Sequence, residues 1–304
     1  MNYRHAYHAG NFADVLKHVV LALVIEYLKR KEAPFRVVDV HAGAGRYALT
    51  SAEAGKTGEW LGGIGRLLGA EARPLPATVA RHLQPYLDAV RSENAAPRLE
   101  VYPGSPALAL RLMRAQDTLV ANDLHPEERA HLNAAIGSDR RAKVMALDAW
   151  VALKSLLPPK ERRGVVLIDP PFEEPRELDR VAEGLAQGLQ RFATGIYLVW
   201  YPIKDLKPIA RFHADLAALG ISKLLRVELL VQRPSDSERL NGCGLVVANP
   251  PYTLESELSA ILPELSRRLA AAAGARYRLD WIEPANPDPR KPSPGAKQRV
   301  RPTR

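Results

Sequence analysis

Val165-Val166-Leu167-Ile168-Asp169-Pro170-Pro171-Phe172 sets four apolar, strand-type residues directly before an acid, two prolines and an aromatic ring. A buried strand of an α/β sheet has this character, and such folds place their chemistry where the strand ends. Two adjacent prolines remove two backbone donors and fix two φ angles, so the strand stops there. The carbonyls before each ring are then free to accept hydrogen bonds from outside the sheet. Beside them stand a carboxylate and a flat ring, the groups an exocyclic amine on a planar base needs. The same string also reads as a strand followed by a Pro-rich turn, so the rest of the chain decides.

Outward from this stretch, short apolar runs recur, several ending in an acid. Arg36 to His41 is a first buried strand, running into Ala42-Gly43-Ala44-Gly45-Arg46-Tyr47 and, by expectation, a helix. Small residues in such a turn let backbone approach a ligand closely, and glycine tolerates the φ values required. The third glycine of a full dinucleotide fingerprint is missing, and no Lys-Ser or Lys-Thr follows to make a phosphate-cradling loop. Leu99 to Tyr102 reads as a strand, with Ser105 and Pro106 opening a helix as N-cap and first helical residue. Thr118 to Asp123 and Lys143 to Asp148 are further strands ending in acids, the first placed to hold ribose hydroxyls or to cap the next helix. Gly195 to Trp200, Lys223 to Val231 and Leu245 to Ala248 complete the strands. Phe12 to Lys31 is expected to be an amphipathic helix with a wide apolar face. Glu53 to Arg98 lacks a clear strand and reads as a helical insertion.

A second run, Asn249-Pro250-Pro251-Tyr252, matches an amino-methylation string as well as the first. Order separates them. Asp169 ends the strand adjoining the first one across the switch point, whereas Asn249 follows a polar hairpin and is expected at the far edge of the sheet.

Composition bounds the partners. The chain has 304 residues, a net charge of +9 and one cysteine, Cys243, which excludes an internal disulfide and any multi-cysteine metal site. No signal-peptide pattern or membrane-length apolar run occurs, so a cytoplasmic protein without membrane contact is expected. The histidines show no metal-ligand spacing, and no metal is expected. From Pro284 onward six Lys/Arg oppose one acid, so the tail carries +5 and the body +4. Such a balance suits RNA or DNA.

The Gly-x-Gly turn, the acids Asp123 and Asp148, and Asp169-Pro170-Pro171-Phe172 form an ordered set. Together they predict a Rossmann-like class I methyltransferase, with S-adenosyl-L-methionine as donor and an exocyclic amine as acceptor. The fold expected is α/β, a seven-stranded mostly parallel sheet with helices on both faces and a helical insertion. An adenine amine is a poor nucleophile because its lone pair is delocalised into the ring. Accepting its N–H groups at Asp169 and a Pro170-side carbonyl favours a pyramidal nitrogen, while Phe172 stacks on the extruded base. The alternatives are a DNA adenine N6-methyltransferase, an inactive methyltransferase fold that binds nucleic acid, and a nicotinamide oxidoreductase.

A closer resemblance lies in Tyr3-Arg4-His5, His8-Ala9-Gly10-Asn11, Ala13-Asp14-Val15-Leu16-Lys17-His18, His41 to Tyr47, Tyr102 to Pro106, Leu124-His125-Pro126, Leu167 to Pro171 and Ala193 to Tyr197. Over about residues 1 to 284 the chain resembles the bacterial family of 23S ribosomal RNA adenine-2030 N6-methyltransferases. The resemblance implies that His18, His41, Ser105, Asp123, Asp148 and Ala149 contact the donor; the small-residue turn itself adds Gly43 and Gly45 to the expected donor site. It implies that Asp169 is the proton acceptor, that Tyr3 touches the RNA, and that the helical insertion is a family feature. Arg4 and Lys17 are further candidates at the substrate. Two positions depart from the family pattern: Phe172 stands where tyrosine is usual, and Asp123 where glutamate is usual. The expected organisation is an N-terminal motif and helix over 1–35, a methyltransferase domain over 36–284 with its insertion about 53–98, and a basic disordered tail over 285–304. The expected partner is 23S ribosomal RNA, protein-free or early in assembly, met by a monomer.

Overall fold

The computed structural model describes residues 4–95 and 98–285. Tyr3 and the tail beyond 285, both singled out above, lie outside the described residues.

After a 3-10 turn at His5–Tyr7, helix α1 (Phe12–Lys29) begins at Asn11, whose side chain accepts from the Ala13 and Asp14 N–H groups. Strand β1 (Arg36–Asp39) leads into β2 (Arg46–Ala48). Four helices follow: α2 (Ala52–Thr57), α3 (Glu59–Gly62), α4 (Gly65–Leu68) and α5 (Ala77–Arg91). Strand β3 (Val101–Pro103) returns to α6 (Ser105–Leu112). Then β4 (Thr118–Asn122), α7 (Pro126–Ile136), β5 (Ala142–Met145), α8 (Ala149–Ser155), β6 (Gly164–Ile168) and α9 (Glu177–Arg191) alternate. The last part holds β7 (Ile196–Ile203), α10 (Leu206–Ala218), β8 (Leu224–Leu230), β9 (Gly242–Ala248), α11 (Leu254–Leu269) and β10 (Arg276–Trp281).

The main sheet has the order β10-β8-β9-β7-β6-β1-β4-β5. β1 pairs in parallel with β4 on one side and β6 on the other, so the chain reverses its direction of travel between β1 and β6. A crevice opens there beyond the strand ends. Alternate strand residues feed two cores, as the pleat requires. Val37, Val165, Leu167 and Leu198 pack under α1, α6 and α11, while Val38, Val166, Ile168 and Val199 pack under α8, α9 and α10.

Five expectations are corrected. The main sheet has eight strands and not seven, because β10 adds an antiparallel edge strand beside β8. Leu99 to Tyr102 contributes to a separate two-stranded sheet, where Tyr47 of β2 pairs with Tyr102 of β3. The Gly-x-Gly turn therefore runs into β2, and the helix that carries the chain from β1 to β4 is α6, delayed until Ser105. Helix α1 is not amphipathic: residues 13 to 25 are all buried, since α5, α6 and α11 cover what the sheet does not. Asn249 does not sit at the sheet edge, because β9 lies between β7 and β8. β9 runs antiparallel to β7, pairing Ala248 with Tyr197, so Asn249 lies at the opposite end of the sheet from Asp169.

Candidate active site

Asp169 leaves β6 at the reversal point with its side chain 19% exposed, and Pro170 beyond it is buried. Its backbone N–H donates to His41 Nδ1 at 3.2 Å, which ties the end of β6 to the end of β1. His41 is thus fixed with Nδ1 as acceptor. Burial holds its imidazole down at about 4, against the pull of Asp169 and Asp148, so the ring is neutral. Phe172 has φ +53, an uncommon backbone for a bulky side chain. Its ring is half-buried and tilts against Trp200, with centroids 5.6 Å apart, one residue past the strand partner of Ile168.

Lys17 reaches Asp169 from α1. Its Nζ lies 2.6 Å from Asp169 Oδ2 and 3.0 Å from Asp14 Oδ1. Asp14 also takes His5 Nε2 at 2.9 Å and the Gly10 N–H at 2.9 Å on its other oxygen. Burial alone would discharge the Lys17 ammonium, but Asp14 and Asp169 outweigh it and hold the group well above its ordinary range. Asp14 is likewise held well below the carboxylate range, because His5 and Lys17 outweigh burial. A charged chain therefore runs from the N-terminal segment to the acid of the Asp-Pro-Pro-Phe run.

On the other side of β1 lies a small-residue cradle. Gly43 and Gly45 have φ +60 and +78, and a Cβ on Gly43 would collide with the Tyr47 hydroxyl. Asp123, after β4, accepts from the Gly43 N–H at 2.9 Å and the His125 N–H at 2.8 Å. Asp148 caps α8 through the Trp150 and Val151 N–H groups, with buried Ala149 beside it. Ser105 is a step removed: its hydroxyl donates to Asp39 Oδ2 at 2.6 Å. Burial raises the Asp39 carboxyl to about 6, opposed by that bond and by Lys17. His18, 1% exposed, meets the Tyr102 hydroxyl through Nδ1 at 2.8 Å, and its Nε2 is buried without a partner among the described residues. Burial lowers its pKa to about 3. Arg4 stands apart at the surface, 3.3 Å from Glu127.

The structure thus gathers Lys17, His41, Asp169, Pro170, Pro171 and Phe172 at one point, with Gly43, Gly45 and Asp123 one strand away. Sequence reasoning does not single out Asp14, His5, Asp39, Trp150 or Trp200. Asp39 carries a signal, an acid inside an apolar strand, and Asp14 stands one helical turn before Lys17. Trp150 sits edge-on to His41 at 5.9 Å under the Arg180 guanidinium at 5.3 Å, an arrangement that only tertiary structure creates. Among the described residues no group of three or more His, Cys, Asp or Glu could hold a metal ion, and no helix is long and apolar enough to cross a membrane.

Comparison with known proteins identifies the family. The chain is 44% identical to ribosomal RNA large subunit methyltransferase J of Escherichia coli strain K12, over 93% of this chain and 99% of that protein. It is 41% identical to the protein of the same name from Haemophilus influenzae, again over 93% and 99%. The crystal structure of protein LPL1258 from Legionella pneumophila superposes with a TM-score of 0.81 at 32% identity, covering 90% of this chain and 98% of that one. Residues 32–283 match the family described as ribosomal RNA large subunit methyltransferase D, RlmJ, and the chain belongs to that family.

Proposed function

We propose that this protein transfers a methyl group from S-adenosyl-L-methionine to the N6 amine of one adenine in 23S ribosomal RNA. The observation that carries the reading is the placement of Asp169-Pro170-Pro171-Phe172 at the reversal point, one strand from the Gly43–Gly45 cradle. The names of the two curated relatives support RNA as the substrate class.

The residues present fit the donor. Gly43 and Gly45 let backbone approach it, Asp123 and Asp148 offer acceptors, and the unpartnered Nε2 of His18 is a buried polar atom awaiting a hydrogen bond. Such an atom costs stability unless something pairs with it. His41 and Ala149 would line the same crevice, while Ser105 would hold Asp39 in place. When bound, S-adenosyl-L-methionine supplies an electrophilic methyl group on a sulfonium.

The chain's own groups then act on the base. Asp169 accepts one N–H of the amine, and the carbonyl preceding a proline accepts the other, so the nitrogen lone pair is freed from the ring. The pyrrolidine rings of Pro170 and Pro171 fix that backbone. Phe172 stacks on the extruded adenine, with Trp200 behind it. Lys17 keeps positive charge against Asp169 and orients it. Arg4, at the surface beside α7, is placed to meet RNA phosphate. Asp169, or water beside it, takes the proton after transfer. Positioning and fixed charge supply most of the rate.

The test uses purified protein, radiolabelled donor, protein-free large-subunit RNA and duplex DNA. Label in N6-methyladenine of the RNA alone is expected. Label in DNA alone would overturn the assignment.

A further inference from the structure

A groove at the outer end of the sheet lies apart from the active site. β10 is the edge strand, and its first residue, Arg276, is in register with Leu230 at the end of β8. Leu230 pairs with Gly242, which pairs with Ile203 at the end of β7. These residues therefore share the end of the sheet that holds Asp169. Four strand spacings separate β6 from β10, roughly 19 Å.

Between β10 and the last turns of α11 is an open cavity of about 510 Å³ walled by Pro263, Arg267, Arg276 and Tyr277 among others. Tyr277 is 42% exposed and the Arg267 side chain 61%. Arg276 is exposed, and its one side-chain hydrogen bond among the described residues reaches the Gly274 carbonyl at 3.4 Å. Arg233 adjoins: its backbone N–H bonds the Ala273 carbonyl, and a Cβ on Gly274 would stand 3.0 Å from its own Cβ. Glu264, on the same helix, is already matched by Arg267 and Arg268. The groove thus offers an exposed ring on the face of β10 toward α11. The exposed Arg233 and Arg276 lie near it, Arg276 projecting from the opposite face of this edge strand, and Arg267 is held by Glu264. Unpaired bases stack on such rings whatever their sequence, and arginine forks pair with phosphate.

We propose that this groove docks an unpaired segment of the substrate RNA beside the methylated site, with Tyr277 stacking on a base and Arg233 and Arg276 pairing with phosphates. The proposal rests on RNA being the substrate. Four strand spacings across the sheet from β6 and further along the strand direction than Asp169, the groove is several nucleotides from the reacting base, so it governs affinity and register and leaves the chemical step alone.

The experiment compares the full-length protein with the Arg276→Ala/Tyr277→Ala variant on a large-subunit RNA transcript and on a short oligonucleotide carrying only the target adenine and its neighbours. The variant is expected to raise KM for the transcript about tenfold, with kcat at saturating RNA and donor affinity held. Its salt dependence should be shallower by about 0.7 to 0.9 in log affinity per log salt for each phosphate that no longer meets a guanidinium. Tyr277→Phe, which keeps the ring, should restore most of the difference. KM for the short oligonucleotide should match between the two proteins. An unchanged KM for the transcript would overturn the docking proposal, as would an equal rise on both RNAs. Wild-type protein that labels no RNA would be a different result, one that removes the substrate reading and the groove's role together.

Discussion

Asp169-Pro170-Pro171-Phe172 and Asn249-Pro250-Pro251-Tyr252 are nearly the same string, yet the fold puts them at opposite ends of the sheet. Each contains a non-glycine residue at φ +53, Phe172 in one and Asn249 in the other. At the first, the acid faces a buried ammonium 2.6 Å away, at the crevice between β1 and β6. At the second, the Asn249 amide spends its N–H groups on the Ala193 and Gly195 carbonyls, both at 2.8 Å. Tyr252 is 81% exposed and meets Tyr27 edge-on. One motif pairs its polar group with a buried ammonium at the crevice, where the proposed function sets it against the base, and the other uses it to tie down a loop. Strand direction, and not the motif, assigns the chemistry.

The comparison can be broken or sharpened by substitution. Asp169→Ala should lower kcat by about 100- to 10,000-fold while donor binding, read by calorimetry, survives. Asp14→Asn should come next. It removes the charge that holds Lys17 and His5, and a displaced ammonium at Asp169 should cut kcat/KM by about 100-fold. Phe172→Ala should lower kcat/KM by about tenfold because the base then has no ring to stack on, and Phe172→Tyr should stay near wild type. Asn249→Ala should leave kcat unchanged and lower unfolding stability by about 1–2 kcal/mol, measured by urea denaturation.

The pH response of stability should be smaller and has a definite sign. Burial holds His18 at about 3 and His41 at about 4, below the free imidazole near 6.5. The stability they contribute is complete above about 6.5 and is lost as pH falls toward 4 and 3. Asp39, raised by burial to about 6, acts oppositely: its contribution is present at low pH and is lost as pH rises through about 6. His41→Asn should therefore flatten the loss of unfolding free energy between pH 6.5 and 4 relative to wild type. Parallel curves would contradict the neutral, buried state of His41.

Much of this is legible in the sequence where physics is local. Short apolar runs followed by Asp123, Asp148 and Asp169 mark strand ends along one end of the sheet, because a carboxylate within a buried strand, as at Asp39, needs a partner supplied from elsewhere. β10 escapes a sequence reading although Arg276-Tyr277-Arg278-Leu279-Asp280-Trp281 alternates as an edge strand should, because it abuts a Pro-rich basic tail. The burial of every α1 residue from 13 to 25 is illegible, since the elements that cover it are α5, α6 and α11. The pairing of Lys17 with Asp169 spans 152 residues, and no spacing rule reaches that far. Ser105 reads as an N-cap from local pattern, yet its hydroxyl serves Asp39, 66 residues away.

The central claim is that strand direction assigns catalysis to Asp169 and denies it to Asn249. One labelled-donor assay on large-subunit RNA tests this directly, with wild type, Asp169→Ala and Asn249→Ala side by side. The account predicts methyl transfer slowed at least about 100-fold in Asp169→Ala and wild-type transfer by Asn249→Ala. Wild-type transfer by Asp169→Ala, or transfer abolished in a folded Asn249→Ala protein, would contradict it.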